Sequence, residues 1–453
     1  MEITLAGGVI ISLGLLLSIV SQRRLAQCIV FFSSFSGTAV LNFGDYGMAP
    51  AVVLLAFLLT ASLLSGRLLV SACVSENHLI VGLLMISFMV IVVVSCLWNG
   101  AVHGLVSLQV TQTGYLLFGI CLALVLSIEF STVERLEAGL FSLRAAATFI
   151  SLWGIFQAVC YYAGVEYPAS LFNNSKSHFA DMYDQRAAEG VVRIASVATE
   201  PSFMSMSLMI FGAFGATVVS IDPDRRTKPW VIPVILTLAT VALSTSSTGY
   251  FGLAILCLLL ARRAPMSTLA VFGSVAVLGG IWLALVPTAQ DALYNMTLGK
   301  FEGGTYVERS GTFAPAIELF AKQPWIGFGW GADFSYSIVT LMLANVGIVG
   351  STLFLFAILG TLISSKMART ALAASTSHLT VYAQAAENAF LVYLAESVVS
   401  GFKYVVADIW CLWAIVIAIP SCLACMNEDI APLRSDARIW RSESIPGLNS
   451  RQV

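Results

Sequence analysis

Ile3-Thr-Leu-Ala-Gly-Gly-Val-Ile-Ile-Ser-Leu-Gly-Leu-Leu-Leu-Ser-Ile-Val20, followed closely by Arg23 and Arg24, is the stretch on which the fold turns. A run of 18 residues without a charge is long enough to cross the hydrocarbon core of a bilayer. A basic pair follows it rather than a small-residue cleavage site, so it reads as a first membrane helix and not as a removable signal. The rest of the chain repeats this pattern. Its 453 residues are 58% hydrophobic and only 11% charged, with a mean hydropathy of +0.88, whereas soluble domains carry about a quarter charged residues. A soluble globular fold is excluded, and a net charge of −2 gives no reason to expect nucleic acid as a partner.

Apolar runs fall at roughly 3–20, 25–42, 50–66, 79–98, 108–128, 140–163, 202–221, 230–243, 249–261, 267–287, 336–364, 386–401 and 404–425. The expected fold is therefore an all-α polytopic membrane protein of about 12–13 transmembrane helices. Residues 1–425 form the multi-spanning membrane domain, and 426–453, polar and of mixed charge, reads as a flexible cytoplasmic tail. When the spans are threaded alternately, 16 of the 23 Lys and Arg fall on the side of Arg23 and Arg24. Excess positive charge marks cytoplasmic loops, so the N-terminus is placed outside and the C-terminus inside.

Two extracytoplasmic loops are long, about 164–200 and 288–335, and hold Lys176, Arg186, Arg193, Lys300 and Arg309. Such a positive face suits a negative substrate, although any one of these cations also serves simply to solvate a loop. Arg193 precedes Glu200 by seven residues, and Pro201 suits the first turn of the next helix. Two readings of the pair stand. Glu200 caps that helix with Arg193 salt-bridged to it, or Arg193 clamps a phosphate through its fork of donors while Glu200 takes a proton from a hydroxyl.

Further on, Ser244-Thr-Ser-Ser-Thr-Gly249 interrupts an apolar run and leaves two segments short for spans. Non-helical backbone at that depth has to be covered by protein or line a cavity. Ser246, Ser247 and Thr248 then offer hydroxyls and helix-start amides to an anion, or form a plain tight turn. The third constellation begins at Arg309. Residues 311–321 carry Phe313, Ala316, Ile317 and Phe320 at helical spacing, which predicts an amphipathic surface helix in the second long loop. Pro324, Gly327, Gly329 and Gly331 then end it in a close-packed turn.

The order of these motifs, an Arg before Glu200-Pro-Ser-Phe203, a Ser/Thr-Gly turn between short helices, and an Arg followed by a helix and Pro-x-x-Gly-x-Gly-x-Gly, resembles the O-antigen polymerase and ligase superfamily over about residues 140–365. Within it the Wzy-type exopolysaccharide polymerases are most similar. The resemblance implies a glycosyltransferase of the bacterial inner membrane, active on its periplasmic face. It would move a growing glycan from undecaprenyl pyrophosphate to the terminal sugar hydroxyl of a second lipid-linked repeat unit. It implies Arg193 and Arg309 as stabilisers of the departing pyrophosphate and Glu200 as the group that orients or deprotonates the acceptor. Arg186, Lys300, Ser246, Ser247, Thr248 and Tyr336 become substrate-binding candidates. Beyond the lipid-linked oligosaccharide and the bilayer, the resemblance leaves room for a chain-length regulator and a flippase as partners.

No cofactor is expected and the displacement reads as metal-independent, because Asp222-Pro-Asp224, the one Asp-x-Asp, falls in a cytoplasmic turn. Ligases of the superfamily open the span after the second loop with a histidine. Tyr336 stands at that position here, which favours polymerase over ligase. Glu387, Glu396 and Asp408, ionisable residues in or near the last two spans, keep a transporter or flippase of lipid-linked oligosaccharide as the alternative.

Overall fold

The computed structural model describes residues 2–44, 46–65, 75–104, 107–175, 193–221, 228–262, 311–372 and 378–442, with single helical residues at 266, 273 and 280. The chain is an all-α polytopic membrane protein. Its helices are α1 (Leu5–Val20), α2 (Gln22–Phe32), α3 (Pro50–Leu64), α4 (Glu76–His103), α5 (Ser107–Glu129), α6 (Val133–Tyr162), α7 (Ala169–Phe172), α8 (Pro201–Ile221), α9 (Lys228–Leu243), α10 (Ser247–Ala261), α11 (Phe313–Lys322), α12 (Ile338–Leu372), α13 (Leu379–Ser400) and α14 (Ala407–Ser442). Among the described residues, α4, α5, α6, α8, α12 and α14 are long and apolar enough to cross a membrane, and α1, α3, α9 and α10 are shorter apolar helices. The predicted span 267–287 lies outside the described residues apart from 273 and 280.

Local chemistry sets the helix ends. Thr4 accepts a hydrogen bond from the Gly7 amide at 2.9 Å and Ser75 accepts one from the His78 amide at 3.2 Å, each capping a helix start. Pro50 and Pro201 open α3 and α8, where a missing N–H costs nothing. Gly104 and Gly401, at φ +83° and +85°, close α4 and α13.

One predicted span is corrected. The run 25–42 is not a single helix, because α2 stops at Phe32. Ser33, Ser34, Ser36, Gly37 and Thr38 weaken the helix, and the backbone finds partners from other parts of the chain. Gly37 N donates to Val197 O at 2.9 Å, Ser175 N to Gly37 O at 3.1 Å, and Ala39 N to Asn174 Oδ1 at 2.7 Å. The chain then enters a small antiparallel sheet of β1 (Glu2–Ile3), β2 (Leu41–Phe43) and β3 (Tyr46–Met48), in register Ile3↔Leu41 and Asn42↔Gly47. At the other extreme α14 is helical from Ala407 to Ser442, past the end of the predicted span 404–425.

Helices α8 and α14 are central: 83% of the apolar window of each is buried, against 33% for α4 and α12 at the periphery. Small residues let the central helices approach their neighbours. A methyl on Gly119 of α5 would lie 2.1 Å from the Trp410 ring of α14, and one on Gly215 of α8 would lie 2.7 Å from Val234 of α9. Trp410 and Trp413 stack with ring centres 5.8 Å apart. Their indole N–H groups donate to Tyr404 O and Thr361 Oγ1, each at 2.8 Å, as buried indoles require.

The order of the helices gathers two ends. At one, Arg135 pairs with Glu129 at 3.4 Å and Arg369 with Glu387 at 3.3 Å, and Arg23 pairs with Glu134. At the other lie the sheet, α7, α11 and the starts of α8, α10, α12 and α14. The candidate site is at this second end.

Candidate functional site

Residues 193–200 are not a solvated loop. The chain runs into the bundle, and Ile194 through Ala198 are each no more than 1% exposed. Buried, non-helical backbone needs partners for its amides and carbonyls, and several are found on neighbouring elements. The Gln157 side chain of α6 accepts from Ala195 N and Ser196 N, both at 2.9 Å. Asn173 Nδ2 donates to Ala198 O at 3.1 Å, and Thr199 N donates to Ser36 Oγ at 3.3 Å. Ser196 is held at φ +51° and anchors its hydroxyl on Ile150 O at 2.7 Å.

This segment delivers Arg193 and Glu200 to the head of α8. The Arg193 side chain has its Nε out of solvent, and its charge reaches the Tyr250 hydroxyl one turn into α10. The Glu200 carbonyl accepts the first helical bond, from Met204 N at 3.1 Å, so Glu200 is the residue that opens α8. Its carboxylate accepts from Ser202 Oγ and lies 3.5 Å from the Lys403 ammonium.

Lys403 is the candidate site residue that sequence reasoning missed. It follows Gly401 in the turn between α13 and α14, and its Nζ sits 4.1 Å from the centre of the Phe203 ring, within cation–π range. Its amide donates to Tyr393 Oη at 3.1 Å, and its side chain is 15% exposed against 24% for Glu200. In the sequence it is one more loop cation. Nothing in the spacing connects positions 200 and 403.

The Ser/Thr turn closes the other side. Ser246 and Thr248 are buried. Ser205 of α8 donates to Ser244 Oγ at 2.8 Å, and Thr248 Oγ1 lies 2.7 Å from Ser400 Oγ at the end of α13. Ser246 N is 3.3 Å from Ser244 Oγ, and Ser247 is the first residue of α10. Between them Thr245 adopts φ +51°, an outlier for a β-branched residue. Its hydroxyl is buried with no hydrogen-bond partner among the described residues. Ser196 and Thr245 are the two non-glycine residues with positive φ among the described residues, and both stand in segments of this site. Such strain persists where the surroundings over-determine it, commonly at functional positions.

The third constellation is brought alongside. The surface helix is present as α11, with Ala316 buried while Phe313 and Ile317 are 38% and 56% exposed on its apolar face. Gly327, Gly329 and Gly331 take φ of +65°, +91° and +85°. Tyr336 N lies 3.5 Å from Thr312 Oγ1, and a methyl on Gly401 would stand 3.5 Å from the Tyr336 Cα. Position 336 thus neighbours the turn that carries Lys403. In the same loop, burial pushes the Asp333 carboxyl above its ordinary range, against the opposing pull of the Phe334 amide. Arg309, Arg186 and Lys300 lie outside the described residues.

The structure therefore brings Arg193, Glu200, Ser246, Ser247, Thr248 and Tyr336 to one end of the bundle and adds Lys403. An acceptor oxygen on Glu200 stands beside one cation, with a second cation on the segment leading to it. The arrangement can hold an anion and receive a proton from a hydroxyl. No protein-family model matches the chain, and no curated protein does.

Proposed function

We propose that this protein is a polysaccharide polymerase of the Wzy type. It sits in the bacterial inner membrane with this end of the bundle facing the periplasm, and transfers a glycan from undecaprenyl pyrophosphate to the terminal sugar hydroxyl of another lipid-linked unit. The observation that carries the reading is Glu200 at the head of α8, facing Lys403 at 3.5 Å on a buried segment that begins at Arg193. Glu200 receives the acceptor proton, and Arg193 and Arg309 stabilise the charge that develops on the departing pyrophosphate. Ser246, Ser247, Thr248 and Tyr336, together with Arg186 and Lys300, are the residues assigned to substrate binding.

The test is purified full-length protein incubated with a lipid-linked repeat unit and resolved on a gel. A ladder of products is expected, lost in Glu200→Gln and in both Arg309→Ala and Arg309→Lys at unchanged protein level, since Lys cannot restore a bidentate contact. A Glu200→Gln variant that makes chains of normal length would reduce Glu200 to a helix cap. A Lys variant with full yield would make Arg309 a merely structural charge.

One observation favours a second reading, a flippase or transporter of lipid-linked oligosaccharide: Glu396 and Asp408 are buried in the helix bundle. Cells lacking a polymerase still display single repeat units on the outer leaflet. Their absence would point to transport.

A further inference from the structure

Glu396 of α13 is fully buried, and neither of its carboxylate oxygens has a hydrogen-bond partner among the described residues. It occupies a slot that a glycine opens. A methyl on Gly252 of α10 would stand 2.1 Å from Glu396 Oε1 and 3.1 Å from Met209 Cγ of α8. Asp408, in the first turn of α14 and 3% exposed, lies within electrostatic reach of Glu396. One Asp408 oxygen accepts from the Ser207 hydroxyl of α8 and, at 3.4 Å, from Ser34 Oγ; the other accepts from Ile409 N at 2.6 Å.

The groups facing this pair are identifiable on each packed element. They are Ser207 and Met209 on α8, Gly252 on α10, Cys411 on α14, Ser34 after α2, and Tyr393 on α13 itself. Among the described residues no Lys, Arg or His forms an ion pair with either acid; the nearby Lys403 ammonium is paired with Glu200. Asp408 has hydrogen-bond donors and Glu396 has none among the described residues; a buried carboxylate with neither donors nor a countercharge is costly and takes up a cation instead.

We propose that Glu396 and Asp408 form an intramembrane site for one small monovalent cation, a proton or a sodium ion, with Glu396 as the principal ligand. The proposal rests on the packing of α8, α10, α13 and α14 and is independent of the glycosyltransferase reading. The site lies one helical turn along α13 from Ser400, whose hydroxyl meets Thr248 of the candidate active site at 2.7 Å.

Full-length protein in proteoliposomes is treated with dicyclohexylcarbodiimide, a lipid-soluble reagent that adds to protonated carboxyls, and the modified peptide is identified by mass spectrometry. Labelling of Glu396 is expected, rising as the pH falls and lost in Glu396→Gln. Suppression by sodium at constant ionic strength identifies a sodium site; indifference to sodium with a clear pH dependence identifies a proton site. A second measurement guards against poor reagent access. The thermal midpoint of the parent relative to Glu396→Gln, followed across pH and sodium concentration, shifts wherever Glu396 exchanges a cation. A midpoint difference constant in both, together with no cation-dependent labelling, overturns the proposal.

Discussion

Lys403 shows how a site residue acquires its role from contacts and not from its type. Its ammonium is shared between the Glu200 carboxylate at 3.5 Å and the Phe203 ring at 4.1 Å, with both charged side chains largely out of water. Leaving one member of a largely buried ion pair without its partner costs about 1–3 kcal/mol or more. Lys403→Met is expected to lower polymer yield at least tenfold, and its coupling to Glu200 is read as a double-mutant cycle with Glu200→Gln on the thermal midpoint, which stays measurable in all four proteins. Additive effects would separate the two residues. Thr245 makes a different case. Its φ of +51° stores roughly 1–3 kcal/mol that glycine would not. Thr245→Gly should hold or raise the thermal midpoint in detergent while turnover falls, and a loss of both would make the turn structural only.

Among the elements, the turn 324–331 and the break in α12 lock each other. Gly347 interrupts α12 at φ +62°, and a methyl there would lie 2.5 Å from the backbone of Trp325, just as one on Gly327 would lie 2.4 Å from that of Asn345. Phe328 N and Gly329 N donate to Ala344 O and Asn345 O, both at 2.9 Å, while Ile348 N reaches back to Pro324 O at 2.8 Å. Gly347→Ala is therefore expected to cost roughly 3 kcal/mol or more, seen as a lower thermal midpoint. Gly8→Ala, with open space around it, should cost nothing and serves as the control. Asp333 gives this loop a pH signature. Because burial raises its folded carboxyl above the ordinary value, the folded state binds the proton more tightly. Stability is then lost as pH rises from the ordinary Asp value through the folded one. Asp333→Asn should raise the midpoint at neutral pH, with the gain vanishing in acid. Much of this element was legible, since Pro324 and three alternate glycines announce a tight turn. The end of α2 at Phe32 was only half legible: Ser33, Ser34, Ser36, Gly37 and Thr38 are poor helix formers but carry no charge to interrupt a span, and the partners that hold the non-helical backbone, Asn174, Ser175 and Val197, lie far along the chain.

Across the whole molecule, charge and burial divide the bundle into a basic end, with Arg23, Arg135 and Arg369 in ion pairs, and the end that carries the candidate site. The arrangement predicts opposite accessibilities for two exposed positions. In a cysteine-free background Val165→Cys should react with a membrane-impermeant maleimide in intact cells and Glu134→Cys only after permeabilisation; the reverse pattern would put the site on the cytoplasmic side. Alternating spans and the clustering of Arg made this division readable from sequence. The pairing of Glu200 with Lys403, and the slot beside Gly252 that holds Glu396, were not readable, since each joins helices far apart in the chain.

The central position of α14 has a consequence for biogenesis. It packs against α5, α8, α12 and α13, all of which precede it in the chain, so during synthesis those helices enter the bilayer around a vacancy. Until α14 docks, the Gly119 notch faces lipid or a chaperone instead of Trp410, and Glu396 lacks Asp408 beside it. The slot around Glu396 therefore gains its Asp408 wall only when α14 arrives.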